Sequence, residues 1–150
     1  GLEIRGRSAG QVQIKGPLTF YFDRNFGKRF PLLIRAARPP FVVEFHHDPS
    51  NRFRFRHDTP DDIWMSKVGA EGWIVFSHDR KWHTELPVYA AIKQHKVACF
   101  YLAGGSTPVW DKLHCLMRGY EGIRNCIWTN RAPYIFDVAY NGRLTRVPIP

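Results

Sequence analysis

Two short, unbroken apolar runs constrain this chain most: "WIVFS" (Trp73–Ser77) and "VACFYLA" (Val97–Ala103). A strand with one wet face alternates apolar and polar residues. A run that is apolar throughout belongs to a strand covered on both faces. Each run follows a segment with helical punctuation. "TPDDIWMSKVGAEG" reads as a helix with Thr59 as N-cap, Pro60 at the first helical position and Asp61 and Asp62 behind it. Gly69 and Gly72 are expected to loosen and end it. "TELPVYAAIKQHK" leads into the second run in the same way. "LTFYF" (Leu18–Phe22) and "FVVEF" (Phe41–Phe45) read as two earlier strands, separated by "GKRFPLLIRAA" at helical spacing. "STPVWDKLHCLMRG" predicts a helix that stops at a Gly, with "EGIRNCIWTN" continuing as helix. "PYIFDVAYNGRLTRVPI" predicts a hairpin turning through Asn141-Gly142. Strands alternating with helices predict an α/β domain with a mostly parallel central sheet and right-handed crossovers.

At 150 residues and 44% apolar content, the chain can build one domain with a real core, expected over residues 17–150. Residues 1–16 start with Gly rather than Met and show no cleavable signal pattern. They are set apart as an N-terminal segment, expected to be partly of expression-vector origin. No apolar run approaches the roughly 20 residues of a membrane span. Cys99, Cys115 and Cys126 are scattered and lack CxxC spacing, which predicts reduced core thiols in a cytoplasmic protein. Cys115 lies beside His114, but the second ligand pair that a zinc site needs is missing.

The net charge of +9 is unevenly spread. Residues 1–60 hold eleven Lys and Arg against five Asp and Glu, whereas residues 61–100 hold five against five. A basic surface suits a polyanion, most often nucleic acid, although a basic protein with no such partner has the same count. The few acids are therefore informative. Asp23 directly follows the first strand and Asp79 lies two residues past the third. In a parallel sheet both strand ends lie at one edge, where sites of open α/β sheets form. Asp61 and Asp62 start the helix that runs back into the third strand, so their end of that helix can reach the same edge. Clustered carboxylates repel one another unless a cation neutralises them. Oxygen-only ligands favour Mg²⁺ or Mn²⁺, which suits phosphodiester hydrolysis.

Each residue has a plainer role beside this one. A strand-end Asp can cap the following turn, and acids in a first helical turn favour the helix dipole. Asp62 sits at the capping-box position, three after Thr59, so Asp61 is the better candidate ligand and Asp62 the structural one. Ser77 can hold water beside the ion or simply end its strand, and Asn25 can orient a carboxylate or support its turn. "RFRFR" (Arg52–Arg56), inside a polar stretch that reads as loop or irregular edge strand, alternates bases with aromatics. That pattern fits single-stranded RNA or a solvated edge. His78 alternates with Ser77 and Asp79 and is expected to point away from them. Nothing in the spacing of the seven histidines selects an acid–base pair.

"TFYFDRNFGKRF", "TPDDIWMSKVGAEGWIVFSHDRK" and "ACFYLAGG", in that order, resemble PIN-like domains, most closely the compact bacterial branch related to VapC-type toxins. The resemblance covers about residues 18–105, and "RAPYIFDV…NGRL" is similar to the same branch. It implies a three-layer α/β/α sandwich and a Mg²⁺- or Mn²⁺-dependent endoribonuclease, commonly the toxin of a toxin–antitoxin pair. By position, Asp23, Asp61 and Asp79 correspond to the three metal-site acids, and Ser77 to the small hydroxyl residue before the third. Many PIN nucleases carry a fourth acid or amide shortly after; here the stretch reads Arg80, Lys81, Trp82. Arg24, Arg52, Arg54, Arg56, Arg80 and Lys81 are the candidate RNA contacts. The expected partners are RNA, a cognate antitoxin protein and a second copy of the chain, with no membrane. The rival functions are a non-catalytic RNA-binding PIN-like module and a structure-specific DNA nuclease.

Overall fold

A row of four phenylalanines fixes the register of the central sheet. In the computed structural model, which describes residues 16–150, Phe22, Phe76, Phe100 and Phe136 lie side by side on four neighbouring strands. Their rings stack at centroid separations of 5.2, 5.6 and 6.0 Å. The N-terminal segment expected at 1–16 lies, but for its last residue, outside the described residues. The strands are β1 (Thr19–Phe22), β2 (Val42–Phe45), β3 (Ile74–Ser77), β4 (Ala98–Leu102), β5 (Tyr134–Val138) and β6 (Leu144–Val147). Their spatial order is β2-β1-β3-β4-β5-β6, parallel throughout except for the antiparallel β5–β6 hairpin. β3 and β4 are buried at every position, as unbroken apolar runs require.

Helices cover both faces. α1 (Arg29–Ala36) and α4 (Val109–Thr129) pack on the phenylalanine face through residues such as Phe30, Ile34, Leu116 and Ile123. α2 (Asp61–Glu71) and α3 (Leu86–His95) cover the other face through Trp64, Met65, Val68 and Ile92. The result is a three-layer α/β/α sandwich. The chain leaves β1 toward β2 on one side and returns to β3 on the other. The sheet therefore has its topological switch point between β1 and β3, where such folds open a crevice beyond the strand ends.

Two local expectations about helix ends are corrected. α2 starts at Asp61 with Pro60 as N-cap and no side-chain cap; the Thr59 hydroxyl instead accepts the backbone N–H of Arg56. Asp62 therefore does not complete a capping box and pairs with His95 at 2.9 Å. α4 does not stop at Gly119 but runs unbroken for 21 residues. A Cβ at position 119 would come within 2.8 Å of Val138 on β5, so this glycine lets the helix lie close on the sheet. "RFRFR", expected as loop or irregular edge strand, is loop built of turns, with Phe53 and Phe55 tucked against the core. The hairpin closes through Tyr140, Asn141 and Gly142, with Ala139 N–H donating to the Arg143 carbonyl and Gly142 at φ +86°. This is a three-residue loop ending in a left-handed position. Among the described residues no helix is long and apolar enough to cross a membrane, and all three cysteines are free.

Candidate active site

One residue beyond the phenylalanine row, side chains turn to the opposite face. The next row across the sheet is polar: Asp23, Ser77, Tyr101 and Asp137. Asp23 extends β1, its N–H donating to the Phe76 carbonyl at 3.1 Å. Its carboxylate is almost sealed, at 3% exposure for the residue. The Ser77 hydroxyl donates to Asp23 Oδ2 at 2.7 Å, and the Asn25 backbone N–H donates to Oδ1 at 3.0 Å. Ser77 Oγ also accepts the Asp79 N–H at 2.9 Å, so one buried hydroxyl fixes two of the predicted acids. The local sequence explains this placement. A fully buried strand brings a small hydroxyl residue to the sheet edge, and the turn behind it is short enough for Asp79 to fold back.

Asp23, Asp61 and Asp79 line one open pocket of about 330 Å³ at the β1–β3 switch point, with Trp82 in its wall. Burial, the largest cause, pushes the Asp23 carboxyl up to about 7, and the nearby charges of Asp79 and Asp61 add to the rise. The Ser77 and Asn25 hydrogen bonds oppose it. A sealed carboxylate that feels the charge of two more carboxylates in the pocket favours a cation there. Donor type and charge thus fit a hard divalent ion. Asp61, however, is engaged: its Oδ1 accepts from Arg24 at 3.2 Å and from the Trp64 indole at 2.9 Å. Among the described residues no three acids, histidines or cysteines draw together tightly enough to enclose an ion.

Arg24 organises the pocket rim. Its guanidinium donates to the carbonyls of His57 and Thr59 at 2.9 and 2.6 Å as well as to Asp61, tying the loop before α2 to the end of β1. His47 Nε2–H donates back to the Arg24 carbonyl at 3.0 Å. Behind the loop, His46 is held neutral between two partners. Tyr21 O–H donates to its Nδ1 and its Nε2–H donates to the Arg56 carbonyl, both at 2.7 Å. Burial lowers its pKa.

The other predicted residues are more dispersed. Asn25 is exposed and acts through its backbone. Asp62 points to His95 and away from the pocket. Arg80 pairs with Asp137. Arg52 pairs with Glu71, and Arg56 with Asp58 at 3.6 Å. Arg54 and Lys81 are exposed and make no ion pair among the described residues. His78 does point away from Ser77 and Asp79; it stacks on Phe26 at 3.9 Å and donates from Nδ1 to the Leu102 carbonyl.

Sequence reasoning missed the lock formed by Arg24 and the acid at Asp137. Asp137 lies on β5, more than fifty residues from Asp79, yet it joins the polar row two strands from Ser77. Only strand register reveals it, and register is invisible to spacing arguments.

A family model described as "PIN like domain" matches residues 18–104, from the start of β1 past the end of β4, and so spans all three acids. No curated protein and no solved structure gives a significant match.

Proposed function

We propose, for a chain that belongs to the PIN-like domain family with its nuclease-type fold, that it is a divalent-metal-dependent endoribonuclease acting in the cytoplasm. The observation that carries this reading is the convergence of Asp23, Asp61 and Asp79 on one pocket at the switch point of the sheet. Asp23 and Asp79 would hold the ion, with Asp61 joining when it exchanges Arg24. Mg²⁺ or Mn²⁺ bound there supplies charge neutralisation at the phosphate and activation of water. The chain's own residues do the rest. Ser77 and the Asn25 N–H orient both oxygens of Asp23, so that its carboxylate is fixed before substrate arrives. Arg24 holds the rim and keeps Asp61 at the pocket. Water adds to phosphorus, the bond to the leaving oxygen breaks, and the proton lost by water leaves on the departing oxygen or to solvent. The +9 charge supports a nucleic-acid substrate, with the exposed Arg54 and Lys81 in no ion pair among the described residues.

Cleavage of RNA and DNA in parallel, with and without EDTA, tests the reading. RNA cut only in the presence of Mg²⁺ or Mn²⁺ is the expected result. Asp79→Asn should abolish cleavage and weaken Mn²⁺ binding without lowering the melting temperature. Full activity in that variant would sink the assignment, and preferential cutting of DNA would replace the substrate.

The occupied Asp61 and the absence of a tight three-acid group among the described residues favour a second reading, a non-catalytic RNA-binding module. Calorimetry with Mn²⁺ separates the two, since such a module shows no carboxylate-dependent binding. The toxin role, with a cognate antitoxin and a homodimer, follows from the likeness of "TFYFDRN" and "WIVFSHDRK" to VapC-type toxins. Light scattering at graded concentration tests the dimer. Growth arrest on expression, relieved by the neighbouring gene product, tests the toxin role.

A further inference from the structure

The far end of the sheet holds a second cavity. It has a volume of about 470 Å³ and lies where β1, β3, β4 and β5 begin, opposite the carboxylate pocket. Its origin is one small side chain. The first row of the phenylalanine face reads Phe20, Ile74, Ala98 and Tyr134 across these four strands. The next row is filled by four rings, whereas here Ala98 leaves room between its neighbours. α4 ends at Thr129, so its last turn walls the space with Ile127 and goes no further. Leu18, Ile74, Ala98 and Ile127 give the cavity an apolar lining.

Tyr134 is the polar group set into that lining. The residue is only 2% exposed, yet its hydroxyl makes no hydrogen bond among the described residues and is not sealed off. The opening it keeps is this cavity. Burial raises the pKa of the phenol, so it stays an O–H donor at neutral pH. A buried hydroxyl without a partner is costly, so an occupant of the cavity gains by supplying an acceptor.

The other polar groups around the cavity point the same way. Glu71 is paired with Arg52, and Asn130 is spent on the Cys126 carbonyl and on Arg146. The Lys96 ammonium, the Thr19 hydroxyl and the Trp73 indole N–H make no hydrogen bond and no ion pair among the described residues. The unspent groups are therefore all able to donate, and the one uncompensated charge among them is positive. α2 and α3 also end at this rim, at Gly72 and Lys96. Their last carbonyls weigh against a second negative charge, which favours a monoanion over a phosphate.

We infer that this cavity is a binding site for a small carboxylic acid with an apolar body. The body lies against Ile74, Ala98 and Ile127, and the carboxylate accepts from the Tyr134 hydroxyl and the Lys96 ammonium. Apolar walls with a few unspent polar groups are the usual form of a small-ligand site. The inference does not depend on the nuclease reading, because the two pockets share no residue.

Octanoate and hydrocinnamate are the probes, followed by amide shifts of the full chain in NMR. Hydrocinnamamide is the uncharged counterpart, and inorganic phosphate the dianion. At least one acid is expected to shift the amides of Ile74, Ala98, Ile127 and Tyr134. Binding of one acid alone keeps the site and identifies the body as chain or ring. Tyr134→Phe and Lys96→Met should each weaken the acid about tenfold, and the amide should bind about tenfold more weakly than its acid. Ala98→Leu fills the cavity and should remove binding without lowering the melting temperature. Asp79→Asn should bind the acids as the wild type does. Absence of shifts with both acids up to their solubility limits would overturn the site, and so would shifts that fall elsewhere. Equal affinity for acid and amide, or for phosphate and acid, would overturn the ligand class. Folded Tyr134→Phe and Lys96→Met proteins with wild-type affinity would overturn the assigned contacts.

Discussion

Asp23 is sealed at the end of β1, where its charge has almost no water to face. Its carboxyl titrates near 7 in the folded chain and at its ordinary value of 3.8 when unfolded. Between those values the folded state binds the extra proton, so metal-free stability falls as pH rises from about 4 to 7 and then levels. Asp23→Asn keeps the site neutral and should melt above the wild type at pH 8 in chelator, by an amount on the order of a few kcal/mol. Adding Mn²⁺ should raise the melting temperature of the wild type and not of the variant. Parallel melting profiles for the two proteins would contradict this account. His46 works in the opposite sense. It is neutral between Tyr21 and Arg56, so a second ring proton would have to go on the nitrogen that accepts from Tyr21 O–H. Its contribution is present above its ordinary value of 6.5 and is lost as pH falls below it. The His46 ring resonances should therefore titrate below pH 6.5, and a midpoint at or above that value would contradict the burial argument.

At the level of elements, apolar periodicity carries most of the information. The four parallel strands read from the first part of the chain end within a residue of where the structure places them, because each apolar run gives way to a polar residue or to glycine. α4 outruns the length its sequence predicts, because a glycine in a helical stretch can be a stop or a packing contact: Gly119 is a contact with β5, and only tertiary packing distinguishes the two. Gly142 shows the stronger constraint: a Cβ there would meet the Arg118 backbone at 2.6 Å, and its φ is +86°. Gly142→Ala should lower the urea midpoint by an amount equivalent to about 2 kcal/mol or more. Gly119→Ala also clashes, at 2.8 Å with the stiff, buried Val138 Cγ1, but it meets a side chain rather than backbone and regains about 1 kcal/mol of helix propensity, so it should cost less than Gly142→Ala. Equal midpoints for the two variants would show that the hairpin turn yields freely. The acids followed the same logic as the strands. Asp23 and Asp79 were legible because they adjoin strand ends, whereas Asp62 was misplaced by a wrong cap and Asp137 was hidden by register.

For the molecule as a whole, the basic excess should appear as salt dependence. Affinity for single-stranded RNA should fall with a log–log slope of about 0.7 per phosphate engaged, and a flat profile would mean that the surface meets no polyanion. Several formal cations are unavailable for that task, since Arg24, Arg52 and Arg80 are bound to acids of the same chain. Net charge counted from sequence thus overstates the gripping surface. The sheet order has one more consequence, in time rather than space. Asp23 and its partner Ser77 are 54 positions apart and meet only when β3 inserts beside β1. At roughly 5–20 residues per second, Asp79 leaves the ribosome about 3–11 s after Asp23. Under the nuclease reading, the nascent chain is harmless through that interval. On that reading the message encoding the chain is safe from it until the centre of the sheet has been translated and closed.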